Sequence, residues 1–361
     1  MNRTLRKYIY ALVLLALNGA AMLLFHRFPG FFFPAYRRVS RAWTGFLAQL
    51  TSFTRGSVWD ILAALLFLAL LFSFIYVLRK HRSVLSWLGT VLLTVSILVT
   101  VTVYGWMLNH YAPSLAEELG YTIRPYSKQE LYDACEYYLL QAAEYAPRMD
   151  RDEEDHLLRP DFYALAAEAG SAYAVLSPDY PVFQGSTVQV KRFSLIGEYL
   201  MYNGIIGMFM PLSGEASIPA SVPTAPMPFT MAHEAAHRMG IASEEEANFA
   251  AFLACVNNDR LPFLYSGYYQ AFSYCFSSLY RSDPEAAVEL YHKHDAEEGV
   301  SLVQLDRRDT SEVYRSYDSS LQEISDRIND TYLKTFSEES GIQSYGEVTD
   351  DLIAWWLANK K

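Results

Sequence analysis

Three long apolar runs in the first third of this 361-residue chain limit what it can fold into more than any other feature. They occupy residues 8–25, 59–78 and 84–108, the second being apolar from Ile61 onward, just after Asp60. A helix rises about 1.5 Å per residue, so roughly 20 apolar residues cross a hydrocarbon core of about 30 Å with every backbone group bonded internally. Each run is therefore expected to be a transmembrane helix. The alternative for the first is a cleaved signal peptide, because Arg3, Arg6 and Lys7 precede it and residues 19–21 are small. Met22, Leu23, Leu24 and Phe25 stay apolar beyond any such cleavage point, which favours an uncleaved span. The second run stops at Arg79, Lys80, His81 and Arg82, as a span does where it meets water.

Charge divides the chain at the same place. Residues 1–110 carry 11 Lys and Arg against one acid, Asp60, whereas residues 111–361 carry 18 basic and 39 acidic residues. The expected organisation is a membrane domain over 1–110 and an acidic soluble domain over 111–361. Membrane lipids are then a partner and nucleic acid is not. Between the first two runs, the aromatic stretches 31–33 and 43–53 alternate with Arg37, Arg38 and Arg41, the pattern of an amphipathic helix lying in the interface. Six basic residues flank the N-terminal side of the spans and five lie in the opposite loop. With the arginines of an interfacial helix discounted, the N-terminus is expected in the cytoplasm and the soluble domain outside it. Cys135, Cys255 and Cys275 are odd in number and lack paired spacing, so buried thiols are expected rather than a disulfide framework.

The soluble part reads as mainly helical. Ser127 with Glu130 three residues later is a capping box, and Leu131, Ala134, Cys135, Tyr138 and Leu139 then share one helix face. Residues 149–156 form a charged break, and 160–174 is helical again. Between 177 and 228 proline, glycine and β-branched residues accumulate, with strand-like runs at 187–193 and 204–211. The proline-rich stretch 214–228 reads as loop or extended chain, Glu215 included. Helices resume after Phe229. The fold class expected is thus a three-helix membrane anchor followed by a mainly α, α+β domain with a small sheet.

One motif carries chemistry. His233 and His237 stand four residues apart in HEAAH, and on a helix both rings project from one face. Glu234 lies one residue round, placed to reach a water beside a metal ion, as a general base does. Two neutral imidazoles and one carboxylate suit Zn2+ with a fourth position left for water. The segment stops at Gly240, a residue favoured just past a helix C-terminus.

The third ligand must come from elsewhere. A histidine six residues after His237 would complete one known pattern, but that position is Ser243. Another pattern, that of gluzincins, takes a glutamate from the following helix, and residues 244–248 (EEEAN) fit it with Glu244 as ligand and Glu246 as runner-up. Asn248, one turn after Glu244, is placed to hold a ligating imidazole by a hydrogen bond. Ser243 is the expected N-cap, with Glu246 at the capping-box position.

The three spans, GIIGMFMPLSGEA at 204–216, PFTMAHEAAHRMGIASEEEANFAAFLAC at 228–255, LPFLYSGYY at 261–269, NDTYLK at 329–334 and GIQSYGEVTDDLIAWW at 341–356 together resemble the bacterial membrane family called domain of unknown function 3810. The resemblance implies a zincin-like domain behind a membrane anchor in the bacterial cell membrane, and it implies no substrate. It matches His233, Glu234, His237, Glu244, Glu246, Ala247 and Asn248, and does not choose between the two acids.

Zincin-type domains present an edge strand to an extended peptide, and Gly204, Ile205, Ile206 and Gly207 are the candidates for it here. The expected function is a membrane-anchored zinc metallopeptidase acting on a peptide or protein, with Glu234 as base. The competing expectation is a non-catalytic membrane sensor or scaffold with a structural or degenerate metal site.

Overall fold

Each of the three apolar runs is a single helix begun by a side-chain cap in the computed structural model, which describes residues 2–319 and 348–360. Helix α1 (Arg3–Arg27) starts at Asn2, whose Oδ1 accepts from Thr4 N; α2 (Pro29–Thr51) follows after one residue. Helices α3 (Val58–Arg79) and α4 (Val84–Gly105) begin at Ser57 and Ser83, whose hydroxyls accept from the amides of Asp60 and Ser86. Caps of this kind satisfy first-turn donors that lipid cannot. Helices α1, α3 and α4 are long and apolar enough to cross a membrane.

Polar side chains pin α1 to α4. Lys7 Nζ donates to Ser86 O and Thr90 Oγ1, Tyr8 donates to Leu85 O, and Asn18 Nδ2 reaches Thr100 Oγ1 at 3.1 Å. Helix α3 meets α4 near their shared turn, where Phe74 packs on Trp87. The third run is shorter than the expected 84–108. It breaks at Gly105, whose Cα lies against the Trp43 indole, and Met107–Tyr111 turns into a 3-10 helix. The cause is burial: Trp106 and Leu108 turn inward and are buried against the rest of the chain.

The expected interfacial segment is one 23-residue helix, α2. Ser40, Thr44, Leu47, Ala48 and Thr51, spaced by three or four residues, are buried on its inner face. That face meets the turn at Gly214, where φ is +67° and an added Cβ would lie 2.5 Å from Ala48 N.

Beyond Tyr111 come α5 (Leu115–Glu118), α6 (Lys128–Tyr145), α7 (Phe162–Ser171), β1 (Lys191–Arg192), α8 (Gly197–Met201), β2 (Met208–Met210) and β3 (Glu215–Ile218). Then follow α9 (Met227–Arg238), α10 (Glu244–Val256), α11 (Leu261–Ser282), α12 (Pro284–Lys293), α13 (Glu298–Ser316) and a last helix, Val348–Asn359. Both bonds of the Ser127–Glu130 capping box are present, and the five apolar residues placed on one face of α6 are all buried. All three cysteines are free and buried. The motif at 329–334 and the start of that at 341–356 lie outside the described residues.

The small sheet corrects three sequence expectations. Its order is β1-β3-β2, with β1 parallel and β2 antiparallel to β3. The run 187–193 contributes only two strand residues, because Val190 N bonds to Ala166 O of α7 instead. Glu215 is in the central strand rather than a loop, since the left-handed turn at Gly214 folds β3 back on β2. The proposed substrate strand over Gly204, Ile205, Ile206 and Gly207 is not a strand. Gly204 closes α8 with φ +74°, Ile205 N bonds to Leu200 O, and the ladder starts at Met208.

Glu215 instead ties the sheet to the second span. Its two oxygens accept from Val58 N at 2.9 Å and Trp59 N at 2.8 Å, and it pairs with Lys191, whose side chain is 1% exposed. Asp60, also buried, accepts from the amides of Ser194 and Leu195. Glu215→Gln therefore leaves a buried ammonium without its counter-charge, and should lower stability by about 3–5 kcal/mol. Chemical denaturation of the detergent-solubilised chain checks this, and a loss within the range of an ordinary surface change would contradict it.

Candidate metal centre

The HEAAH segment becomes α9, which is buried along its whole length. Gly240, with φ +83°, ends it in a left-handed turn; Gly240 N bonds to His237 O and Ile241 N to Ala236 O. Only five residues separate the last residue of α9 from the first of α10, so the first turn of α10 folds back onto the imidazoles.

Three side chains converge there. The Nε2 atoms of His233 and His237 are 3.1 Å apart, and Glu244 places Oε2 3.3 Å from the first and Oε1 3.6 Å from the second. One ligand atom from each residue lies within 4.8 Å of the others, a group able to hold a metal ion. Glu246 turns elsewhere: its carboxylate accepts from Leu115 N at 2.7 Å. That contact also replaces the expected capping box. Ser243 has an extended N-cap backbone, yet its side chain makes no capping bond.

The outer nitrogens fix the tautomers. His237 Nδ1 lies 2.8 Å from Ile241 O, which can only accept, so that nitrogen carries the proton. His233 Nδ1 lies 2.9 Å from Asn248 Oδ1, which also accepts from the Tyr274 hydroxyl. Asn248 thus holds a ring in the way its spacing suggested. With both Nδ1 atoms protonated, two Nε2 lone pairs face each other across 3.1 Å with a carboxylate alongside. Such an arrangement repels itself unless a proton or cation lies between, so the donor set fits a divalent metal.

Electrostatics agree with the geometry. Burial pushes His237 down to about 4, keeping its ring neutral. Burial also opposes charge on His233, but the Glu244 carboxylate outweighs it and raises that imidazole above its ordinary value. Burial opposes charge on Glu244, but its bond to His233 and the favourable field of the imidazoles outweigh that and hold it at about 2. Glu234 is pushed up to about 8 by burial, with Glu244 adding to the shift. Its Oε2 is buried and has no hydrogen-bond partner, while Gly207 packs so closely that an added Cβ would fall 2.2 Å from Oε1. Gly207, expected in a substrate strand, is instead the wall behind this carboxylate.

Below the His233 pKa, which the Glu244 carboxylate raises against the opposing effect of burial, a metal ion has to displace a proton from that ring. Affinity should therefore fall about tenfold for each pH unit below the His233 pKa, and binding should release protons. Calorimetric titration with Zn2+ or Co2+ in buffers of different ionisation enthalpy checks both points; affinity that does not vary with pH would contradict them.

Several residues around the centre carry no local signal in the sequence. The carbonyls that end α9 are held by the membrane-proximal part of the chain. Trp106 Nε1 donates to His237 O at 2.8 Å, Thr44 Oγ1 to Arg238 O at 3.2 Å, and Arg41 Nε to Met239 O at 2.8 Å. His110 lies close enough for its charge to act on both Glu244 and His237. These partners stand more than 120 residues from the motif, where no spacing rule could reveal them.

A family model described as protein of unknown function (DUF3810) matches residues 36–353. No curated protein and no solved structure gives a match.

Proposed function

The chain belongs to the DUF3810 family, whose function is unknown, and from that premise we propose that it is a membrane-anchored, zinc-dependent peptidase with a zincin-like domain. The observation that carries this reading is the convergence of His233, His237 and Glu244 beside a buried carboxylate, Glu234, that has an unpartnered oxygen. His233, His237 and Glu244 would hold Zn2+, with Asn248 and the Ile241 carbonyl fixing the two rings. The ion would supply Lewis acidity to a scissile carbonyl and lower the pKa of water.

Glu234 has the position and environment of the base. Buried and packed against Gly207, it would take a proton from the attacking water and pass it to the leaving nitrogen. A carboxylate poised near neutrality by burial can do both within one turnover. Strand β2 is an edge of the sheet, and Phe209 packs on Trp106, which itself contacts the His237 ring. An extended peptide pairing with that edge would pass beside the centre, and this supports a peptide or protein as substrate. The orientation with the N-terminus in the cytoplasm and the peptidase outside belongs to the same proposal.

The test is metal-dependent cleavage of a fluorogenic peptide library by the full-length chain. Activity lost to a chelator and restored by Zn2+ supports the reading. Stoichiometric metal, with a fold that collapses on chelation and no cleavage of any library member, would support a structural metal site instead.

A further inference from the structure

Helix α2 has three faces, and only one is accounted for by the metal domain. The second is apolar and exposed. Val39, Trp43, Phe46 and Leu50 recur at three- and four-residue spacing, with Phe53 just past the helix end; Phe46 is 59%, Leu50 61% and Phe53 80% exposed. The third, about a quarter turn away, carries Arg38, Ala42, Gly45 and Gln49, again one row. This row forms one wall of a groove of about 530 Å³, whose other wall is residues 184–188.

The groove's lining contains Arg38 and Arg41 and no acid, and its α2 wall belongs to the basic first 110 residues of the chain. Gln49, Gln184, Ser186 and Thr187 add neutral hydrogen-bonding groups. The Arg38 guanidinium with these hydroxyls and amides suits a phosphate. The neighbouring apolar row is continuous with the spans: α2 begins two residues after α1 ends and finishes seven residues before α3 starts. It therefore adjoins the ends of two helices long and apolar enough to cross a membrane.

We propose that this groove binds the headgroup of an anionic phospholipid, with the apolar row of α2 resting on the acyl chains. Basic residues at the polar edge and aromatic and aliphatic residues below are the arrangement by which an interfacial helix takes such a lipid. Arg41 already gives Nε, Nη1 and Nη2 to the carbonyls of Met239, Pro181 and Val182, so Arg38 is the cation that meets the headgroup, while Arg41 ties the groove to the end of α9.

The test uses the full-length chain in nanodiscs of equal parts phosphatidylcholine and phosphatidylglycerol, with retained lipids counted by native mass spectrometry. Phosphatidylglycerol should be enriched about fivefold or more over phosphatidylcholine. Arg38→Gln should abolish most of that enrichment and Arg38→Lys keep most of it. Circular dichroism of both variants separates lost binding from lost folding. Brominated phosphatidylglycerol should quench wild-type tryptophan emission more than that of Trp43→Phe. Equal retention of the two lipids, or enrichment that survives in a folded Arg38→Gln variant, would overturn the proposal. Displacement of the lipid by inorganic phosphate would overturn it in favour of a soluble anion.

Discussion

Glu234→Gln is expected to keep the metal and lose hydrolysis. The amide has nearly the shape of the carboxylate, so the packing against Gly207 persists, and neither imidazole touches the substituted group's oxygen in a ligating role. What disappears is a group able to take and return a proton, an effect of about 100- to 10,000-fold on turnover. The pH dependence sharpens the expectation. Burial sets Glu234 at about 8 without metal, so the carboxyl is protonated at neutral pH; a divalent cation nearby stabilises the charged form and lowers that value. Activity of the wild type should thus rise with pH along a limb lying below 8, and the residual activity of the variant should lack that limb. Metal content by mass spectrometry and rate profiles on one cleaved peptide measure both. Undiminished turnover in a metal-replete Gln variant would remove Glu234 as the base.

The second large effect concerns where the metal site ends. A fragment beginning at residue 111 is expected to bind metal at least about 100-fold more weakly than the full chain, or not to fold, because the end of the metal helix loses its partners. It would lack Trp106, Thr44 and Arg41, leaving the carbonyls of Arg238 and Met239 without these donors and that of His237 with only local backbone donors such as Gly240 N. Each buried group so orphaned costs about 1–3 kcal/mol, and together they reach the scale of a domain's whole stability, about 5–15 kcal/mol. Lys191 would lose Thr51 O, and Glu215 the two amides it caps. Trp106→Phe in the full chain keeps an aromatic ring in that site while removing the Nε1 donor. Equal metal affinity in the fragment and the full chain would show that α2 and the end of α4 are dispensable to the centre.

How far the sequence disclosed this arrangement depended on the reach of each signal. The spans were legible because a membrane core imposes length and apolarity on contiguous residues. Helix α6 was legible because Ser127 and Glu130 cap it locally. His233, His237 and Asn248 could be placed from helical periodicity alone, and the choice of Glu244 over Glu246 followed from the same first turn once the fold-back was seen. The sheet was read poorly. Its strands have two, three and four residues, too short for alternation to register, and β3 is buried on every residue. Gly207, grouped with the expected substrate strand, packs instead on Glu234, 27 positions away in the chain. The supports from Thr44 and Trp106 depend wholly on tertiary packing, which no local pattern encodes.

The central claim is that two imidazoles and one carboxylate share a single divalent ion. X-ray absorption at the zinc edge of the full-length chain, loaded with one equivalent, tests it directly. The account requires a mixed nitrogen and oxygen shell with two imidazole signatures, reduced to one imidazole in His233→Ala or His237→Ala, and altered in Glu244→Ala but not in Glu246→Ala. A shell without imidazole, or one unchanged by all four substitutions, would contradict it.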